Sequence, residues 1–120
     1  MKVIIAGSRS FTDYKTLTDH CDHLLSNQSD IEIVSGTANG ADKLGERYAE
    51  EKGYPVKKFA ANWNELGKKA GYIRNEQMAQ YADVLIAFWD GKSKGTKHMI
   101  ELAKKYNLPT RTIQINTDNS

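Results

Sequence analysis

Val3-Ile4-Ile5-Ala6-Gly7-Ser8-Arg9-Ser10 runs through four apolar residues and then breaks at once into glycine and polar groups. An unbroken apolar run of this length suits a strand buried on both faces, as in a parallel sheet covered by helices. The alternation then repeats along the chain. Tyr14, Leu17, Cys21, Leu24 and Leu25 recur at helical spacing, with Thr12 or Asp13 placed to cap. Residues 31–35 read as a second strand, and Ala41, Leu44, Gly45, Tyr48 and Ala49 as the stripe of a second helix that stops at Gly53. A weaker strand over 56–60, a helix over 69–81 and a strand over 83–89 follow. Met99, Leu102, Ala103 and Tyr106 mark the last helix, which leads into a strand over 110–115.

One device appears twice. In Gly53-Tyr54-Pro55-Val56 and Asn107-Leu108-Pro109-Thr110, a residue tolerant of positive φ ends a helix and a proline leads into a strand. Strand–helix–strand order with right-handed crossovers defines the α/β class. The expected architecture is a Rossmann-like three-layer α/β/α arrangement with a mainly parallel five-stranded sheet. Residues 1–115 read as a single domain and residues 116–120 as a frayed tail.

Composition narrows the function classes. A chain of 120 residues buries a core without a structural metal or disulfides. Cys21 is the one cysteine, so no intrachain disulfide forms and a reducing, cytoplasmic setting is expected. No apolar run approaches the roughly 20 residues of a membrane span, and the N-terminal run reads as a strand, not a signal peptide. The net charge is only +2 and the lysines are scattered, which disfavours nucleic acid as a partner. His20, His23 and His98 fit no metal spacing, and neither a metal nor a cofactor is expected.

The unusual residues gather in the loops that follow the central strands. These are Gly7-Ser8-Arg9-Ser10, Gly36-Thr37-Ala38-Asn39-Gly40, Ala61-Asn62-Trp63-Asn64 and Asp90-Gly91-Lys92-Ser93-Lys94-Gly95-Thr96. In an open α/β sheet all of them emerge on one edge, where ligands bind at the reversal of strand order. The loops at the other edge are short and look structural. Glycines remove the Cβ that blocks close approach, and free amides at a helix N-terminus attract anions. Arg9, Lys92 and Lys94 add charge-assisted hydrogen bonds, so a phosphorylated ligand is the expectation. Trp63 and Trp89 stand at the same edge, either to stack on a base or to cover the sheet end. Asp42, in the first turn of its helix, either caps that turn or receives ribose hydroxyls. Arg74, beside Asn75 and Glu76, reads more readily as a surface ion pair than as a ligand contact.

Taken together, Gly7-Ser8-Arg9, Val34-Ser35-Gly36-Thr37-Ala38-Asn39-Gly40-Ala41-Asp42, and Ala70-Gly71-Tyr72-Ile73-Arg74-Asn75-Glu76-Gln77-Met78 resemble the SLOG superfamily. Ala82-Asp83-Val84-Leu85-Ile86-Ala87-Phe88-Trp89-Asp90-Gly91 and Lys94-Gly95-Thr96 extend the likeness, which is nearest to the YspA, cpYpsA-related branch. That superfamily includes the Lonely Guy phosphoribohydrolases, the DNA-processing protein Smf/DprA and sensors of nucleotide-derived signals. The resemblance implies a homodimer and a module that binds or senses a nucleotide-derived ligand. Gly7, Ser8, Gly36, Thr37, Gly40, Gly95 and Thr96 would cradle it, with Arg9, Asp42, Trp63, Arg74, Asn75 and Asp90 around it.

The alternative is a nucleotide N-glycosidase. Lonely Guy enzymes pair the arginine of an Arg-Lys-x-x-Met stretch with the glutamate of a Gly-Gly-x-Gly-Thr-x-x-Glu stretch. Here Arg74 keeps the arginine, whereas Met99 stands where that glutamate belongs. Met99 has no proton chemistry, so a hydrolase would need Asp42, Glu76 or Asp90 in its place, together with Arg74.

Overall fold

The computed structural model describes residues 1–116 and carries five parallel strands in one sheet, in the order β3-β2-β1-β4-β5. The strands are β1 (Lys2–Gly7), β2 (Glu32–Ser35), β3 (Val56–Lys58), β4 (Val84–Trp89) and β5 (Thr110–Gln114). The helices are α1 (Tyr14–Leu25), α2 (Ala41–Lys52), α3 (Trp63–Leu66), α4 (Ala70–Tyr81) and α5 (Lys94–Lys105). The tail expected over 116–120 lies, beyond Asn116, outside the described residues. Among these residues no helix is long and apolar enough to cross a membrane.

The two apolar faces of the sheet explain why β1 from Val3 to Ala6, and β4, are apolar. Leu17, Cys21 and Leu25 of α1 and Tyr48 and Ala49 of α2 cover one face, against Val3, Ile5, Ile33 and Phe88. Met78 and Ala79 of α4 and Met99, Leu102 and Ala103 of α5 cover the other, against Ile4, Ala6, Val34 and Leu85. Residues one apart on β1 therefore serve different cores, and neither parity can turn polar. On the first face the Phe11 ring stacks on Phe88 with centroids 5.2 Å apart.

The ends of the helices follow their caps. Asp13, not Thr12, caps α1, accepting from the Thr16 amide at 3.1 Å. Gly53 and Asn107 both take positive φ (78° and 60°), as the repeated helix-to-strand device requires. The stretch read as a loop around Trp63 is instead a single helical turn. Asn62 accepts from the Glu65 amide at 3.3 Å while its side-chain amide donates to the Glu65 carboxylate at 3.0 Å. The strand expected over 56–60 ends at Lys58, and this reciprocal Asn62–Glu65 pair starts α3. A short 3₁₀ turn, Gly67–Lys69, then leads into α4.

Gly45 sets the distance between α2 and the sheet, because a Cβ there would lie 2.9 Å from both Cβ and Cγ2 of Ile5. Overpacking of this kind costs about 1–3 kcal/mol, so Gly45→Ala should lower the unfolding free energy by that amount. Gly95 on α5 has nothing within 4 Å of its Cβ position. Gly95→Ala should accordingly stay within roughly 0.5 kcal/mol of the parent or gain slightly from helix propensity. Denaturant titration of the two variants checks both values.

Candidate functional site

The strand order reverses between β1 and β4, and the loops leaving those two strands splay apart to open a crevice. Ser8 welds its base. The Ser8 amide donates to the Phe88 carbonyl at 3.0 Å, and the Ser8 carbonyl accepts from Phe11 and Ala41, each at 3.2 Å. Its hydroxyl accepts from the Asp90 amide at 3.2 Å. Gly40, at φ 78°, passes so close that any side chain there would run into the Ser8 and Arg9 carbonyls. Ser8 and Gly40 thus hold the loops together at the base of the crevice.

Arg74 enters the crevice from α4 and is nearly buried, at 9% exposure. Its Nε donates to Asn75 Oδ1 at 3.0 Å, and its Nη1 donates to the Gly36 carbonyl. A Cβ at residue 36 would lie 2.8 Å from both Arg74 Nη1 and Asp42 Oδ2, so any other residue displaces this pair. Asp42 is buried on the other side of Gly36, where Oδ2 accepts from the Ala38 amide at 3.1 Å. Burial pushes its carboxyl up to about 6, against the opposing pull of the Ala38 amide and the Arg74 charge. Burial also draws Arg74 below its ordinary value, with Asp42 pulling it back and Arg9 pushing it further down.

Arg9 and Arg74 border three adjoining hollows. The innermost, about 190 Å³, is walled by Gly7, Asp42, Asn75, Gly95 and Thr96, with Met99 in its wall. The second, about 310 Å³, runs past Gly36, Thr37, Asn39 and Trp63. The third, about 180 Å³, is edged by Trp63, Lys68, Gly71 and Tyr72. Arg9 is exposed and makes no hydrogen bond or ion pair among the described residues.

The first turn of α5 faces the innermost hollow. Ser93 caps it, accepting from the Thr96 amide at 3.4 Å. Asp90 Oδ1 accepts from the Lys92 and Ser93 amides, both at 2.8 Å, and these bonds hold its carboxyl below the usual range. The Asp90 carboxylate therefore shapes its own loop and lines none of the three hollows. Trp89 reaches the same loop, donating Nε1–H to the Ser93 carbonyl at 3.0 Å, and packs over the core as a cover. Glu76 points away, accepting from Tyr106 Oη at 2.7 Å and facing Lys105 at 3.5 Å.

The hollows thus bring together Gly7, Arg9, Gly36, Thr37, Asp42, Trp63, Arg74, Asn75, Gly95 and Thr96. Ser8, Gly40, Glu76 and Asp90 stand outside them. Sequence reasoning missed Lys68, Gly71 and Tyr72. Their signal was available: Tyr72 and Ile73 fall off the apolar stripe of α4 and are exposed.

Fold and crevice together define a SLOG-type α/β protein. The profile of the YspA, cpYpsA-related SLOG family matches residues 1–65, and the chain belongs to that family. Gene 61 protein of Mycobacterium phage D29 is 37% identical over 115 residues, 90% of this chain and 92% of that one. Two solved proteins share the fold. The structure giving the single-stranded DNA binding mode of DNA processing protein A from Helicobacter pylori superposes with a TM-score of 0.73 at 24% identity, covering 100% of this chain and 68% of that one. DNA processing protein A (DprA) from Streptococcus pneumoniae gives 0.77 at 18%, covering 96% of this chain and half of that one, at 50%.

The second of these comparisons confirms the fold, and the first corrects an expectation. Nucleic acid was disfavoured on net charge, yet a protein of this fold binds single-stranded DNA. The physical reason is that net charge averages over the whole surface. Arg9, Lys68 and Arg74 border one hollow, whereas the acidic residues that balance them lie mostly elsewhere.

Asp42 makes a testable contribution to stability. Its folded value lies above the ordinary 3.8, so the proton binds the folded state more tightly. The resulting stability is complete below about pH 4 and is lost as pH rises through about 6. Asp42→Asn should therefore match the parent in acid and exceed it by about 2–3 kcal/mol above neutrality. Thermal melts across that pH range check the crossover, and a pH-independent difference would contradict the buried assignment.

Proposed function

We propose that this protein binds a nucleotide-derived phosphorylated ligand in the crevice between β1 and β4. The observation that carries the reading is the pair of arginines: exposed Arg9, without a hydrogen bond or ion pair among the described residues, stands with buried Arg74 at the inner hollow, which the first turn of α5 faces. Two cations and a helix N-terminus favour a phosphate. Asp42 is positioned for ribose hydroxyls, and Trp63, at 50% exposure, offers a face for a base.

The geometry favours binding over base release. Met99, buried in the wall of the inner hollow, supplies no acid or base. Of the carboxylates that might replace a catalytic glutamate, Glu76 and Asp90 are committed to other contacts, which leaves Asp42. Prolonged incubation with adenosine 5′-monophosphate should release no free adenine, as chromatography would show.

Arg9→Ala should weaken binding of adenosine 5′-monophosphate by about 1.5–3 kcal/mol, the worth of a hydrogen bond to a charged group, while leaving the melting temperature unchanged. Gly95→Val should fold normally, because its side chain enters open space, yet block the inner hollow. Calorimetric titration of both variants is the test. Unchanged affinity in both would move the phosphate elsewhere.

A second reading is single-stranded DNA, and a separate observation favours it. Trp63 and Tyr72 are each about half exposed (50% and 51%) and edge one hollow with Arg9 and Lys68. Alternating stacking faces and cations suit consecutive nucleotides. Affinity for oligothymidylates that rises with length and collapses with salt would support this reading, whereas affinity independent of length favours a single nucleotide.

A further inference from the structure

We infer that His98 is a positioning residue for Arg74, acting through Asn75, and that only the neutral imidazole can perform this role. The inference rests on the reading of Arg74 as a phosphate contact. It starts from the amide of Asn75, whose orientation two neighbours dictate. Arg74 Nε–H can only donate, so the atom facing it at 3.0 Å must be Asn75 Oδ1. The Gly95 carbonyl can only accept, so the atom facing it at 3.3 Å must be Nδ2. The same Nδ2 lies 3.2 Å from His98 Nδ1. Nδ1 must then accept, which leaves the ring proton on Nε2.

One amide therefore joins three groups on two helices: Arg74 on α4, and on α5 the Gly95 carbonyl of the first turn and His98 one turn further along. The imidazole is braced by an edge-on contact with Tyr72, with ring centroids 4.6 Å apart. The groups facing it are Tyr72 and Glu76 from α4 and Glu101 from its own helix. Burial favours the neutral ring, while the two glutamates favour the charged one.

Protonation of Nδ1 sets an N–H against the N–H of Asn75. Rotating the amide by half a turn relieves that conflict but presents Nδ2 to Arg74 Nε and Oδ1 to the Gly95 carbonyl, so both anchors are lost. Arg74 then keeps its bond to Gly36 and loses the one that fixes its Nε. The cleft should thus grip an anion less well once His98 is charged. Asp42 acts in the opposite sense, because its protonation removes a negative charge from the same cleft.

The test compares the parent with His98→Gln, which keeps an acceptor for Asn75 and cannot titrate, and with His98→Leu, which has none. In the ligand-free protein, long-range nitrogen-15 correlation spectra should show Nδ1 unprotonated at about pH 7.5, with a sharp Arg74 Nε–H signal that broadens as His98 titrates. In His98→Gln that signal should persist into acid. Calorimetry then uses sulfate as the probe, because its charge is constant over the range. Affinity of the parent relative to His98→Gln should be near unity while the spectra show Nδ1 unprotonated and fall roughly tenfold once they show it protonated, and His98→Leu should bind weakly throughout. A protonated Nδ1 at neutral pH, or identical pH profiles for parent and His98→Gln, overturns the inference. Absence of sulfate binding in the parent at every pH would count against the phosphate site itself, and the spectra of the ligand-free protein still decide the relay.

Discussion

A guanidinium taken out of water must find partners for its charge and its N–H groups, and Arg74 obliges the surrounding fold to supply them. It reaches from α4 to the carbonyl of Gly36, in the loop after β2. That contact ties the helix on one face of the sheet to the loop that feeds the helix on the other. It also explains the residues nearby. A side chain at position 36 would press on the Arg74 and Asp42 head groups, Asp42 supplies a compensating charge, and Asn75 receives the Nε–H.

The compensation is incomplete by design of the sequence. Arg9 adds a second cation close enough to depress Arg74, and among the described residues it makes no hydrogen bond or ion pair. Asp42 is the single carboxylate in the walls of these hollows, and burial makes its own ionisation costly. Two neighbouring positive charges that repel each other are relieved by an anion between them. The first turn of α5 adds the partial positive charge of a helix N-terminus. Under the function proposed above, a phosphate would supply the negative charge between these groups.

The sheet was readable because both faces of β1 and β4 are covered, so burial leaves a run such as Val3-Ile4-Ile5-Ala6 no polar position. The helix-to-strand joints were readable too, since Gly53 and Asn107 signal positive φ chemically. The turn of α3 was overlooked because its cap, Asn62 with Glu65, was read as loop polarity. Within the site, glycines were easy to find and hard to assign. Gly40 makes room for the protein's own carbonyls, Gly36 makes room for Arg74, and Gly95 alone borders open space. Glu76 and Asp90 looked like candidates on residue type, but their hydrogen bonds belong to Tyr106 and to the loop amides. Such contacts join positions distant in sequence or depend on loop geometry, and spacing does not encode them. Net charge is a poor guide to nucleic acid for a related reason: what a ligand meets is the local field, not the sum.

The most direct measurement of the central claim is a map of backbone amide shifts as adenosine 5′-monophosphate is added to the labelled protein. The account predicts saturable changes centred on Ala38, Asn39, Gly95 and Thr96, accompanied by the Trp63 indole signal. Changes confined to the opposite edge of the sheet, around Pro109 and Val84, or no saturable change at all, would contradict it.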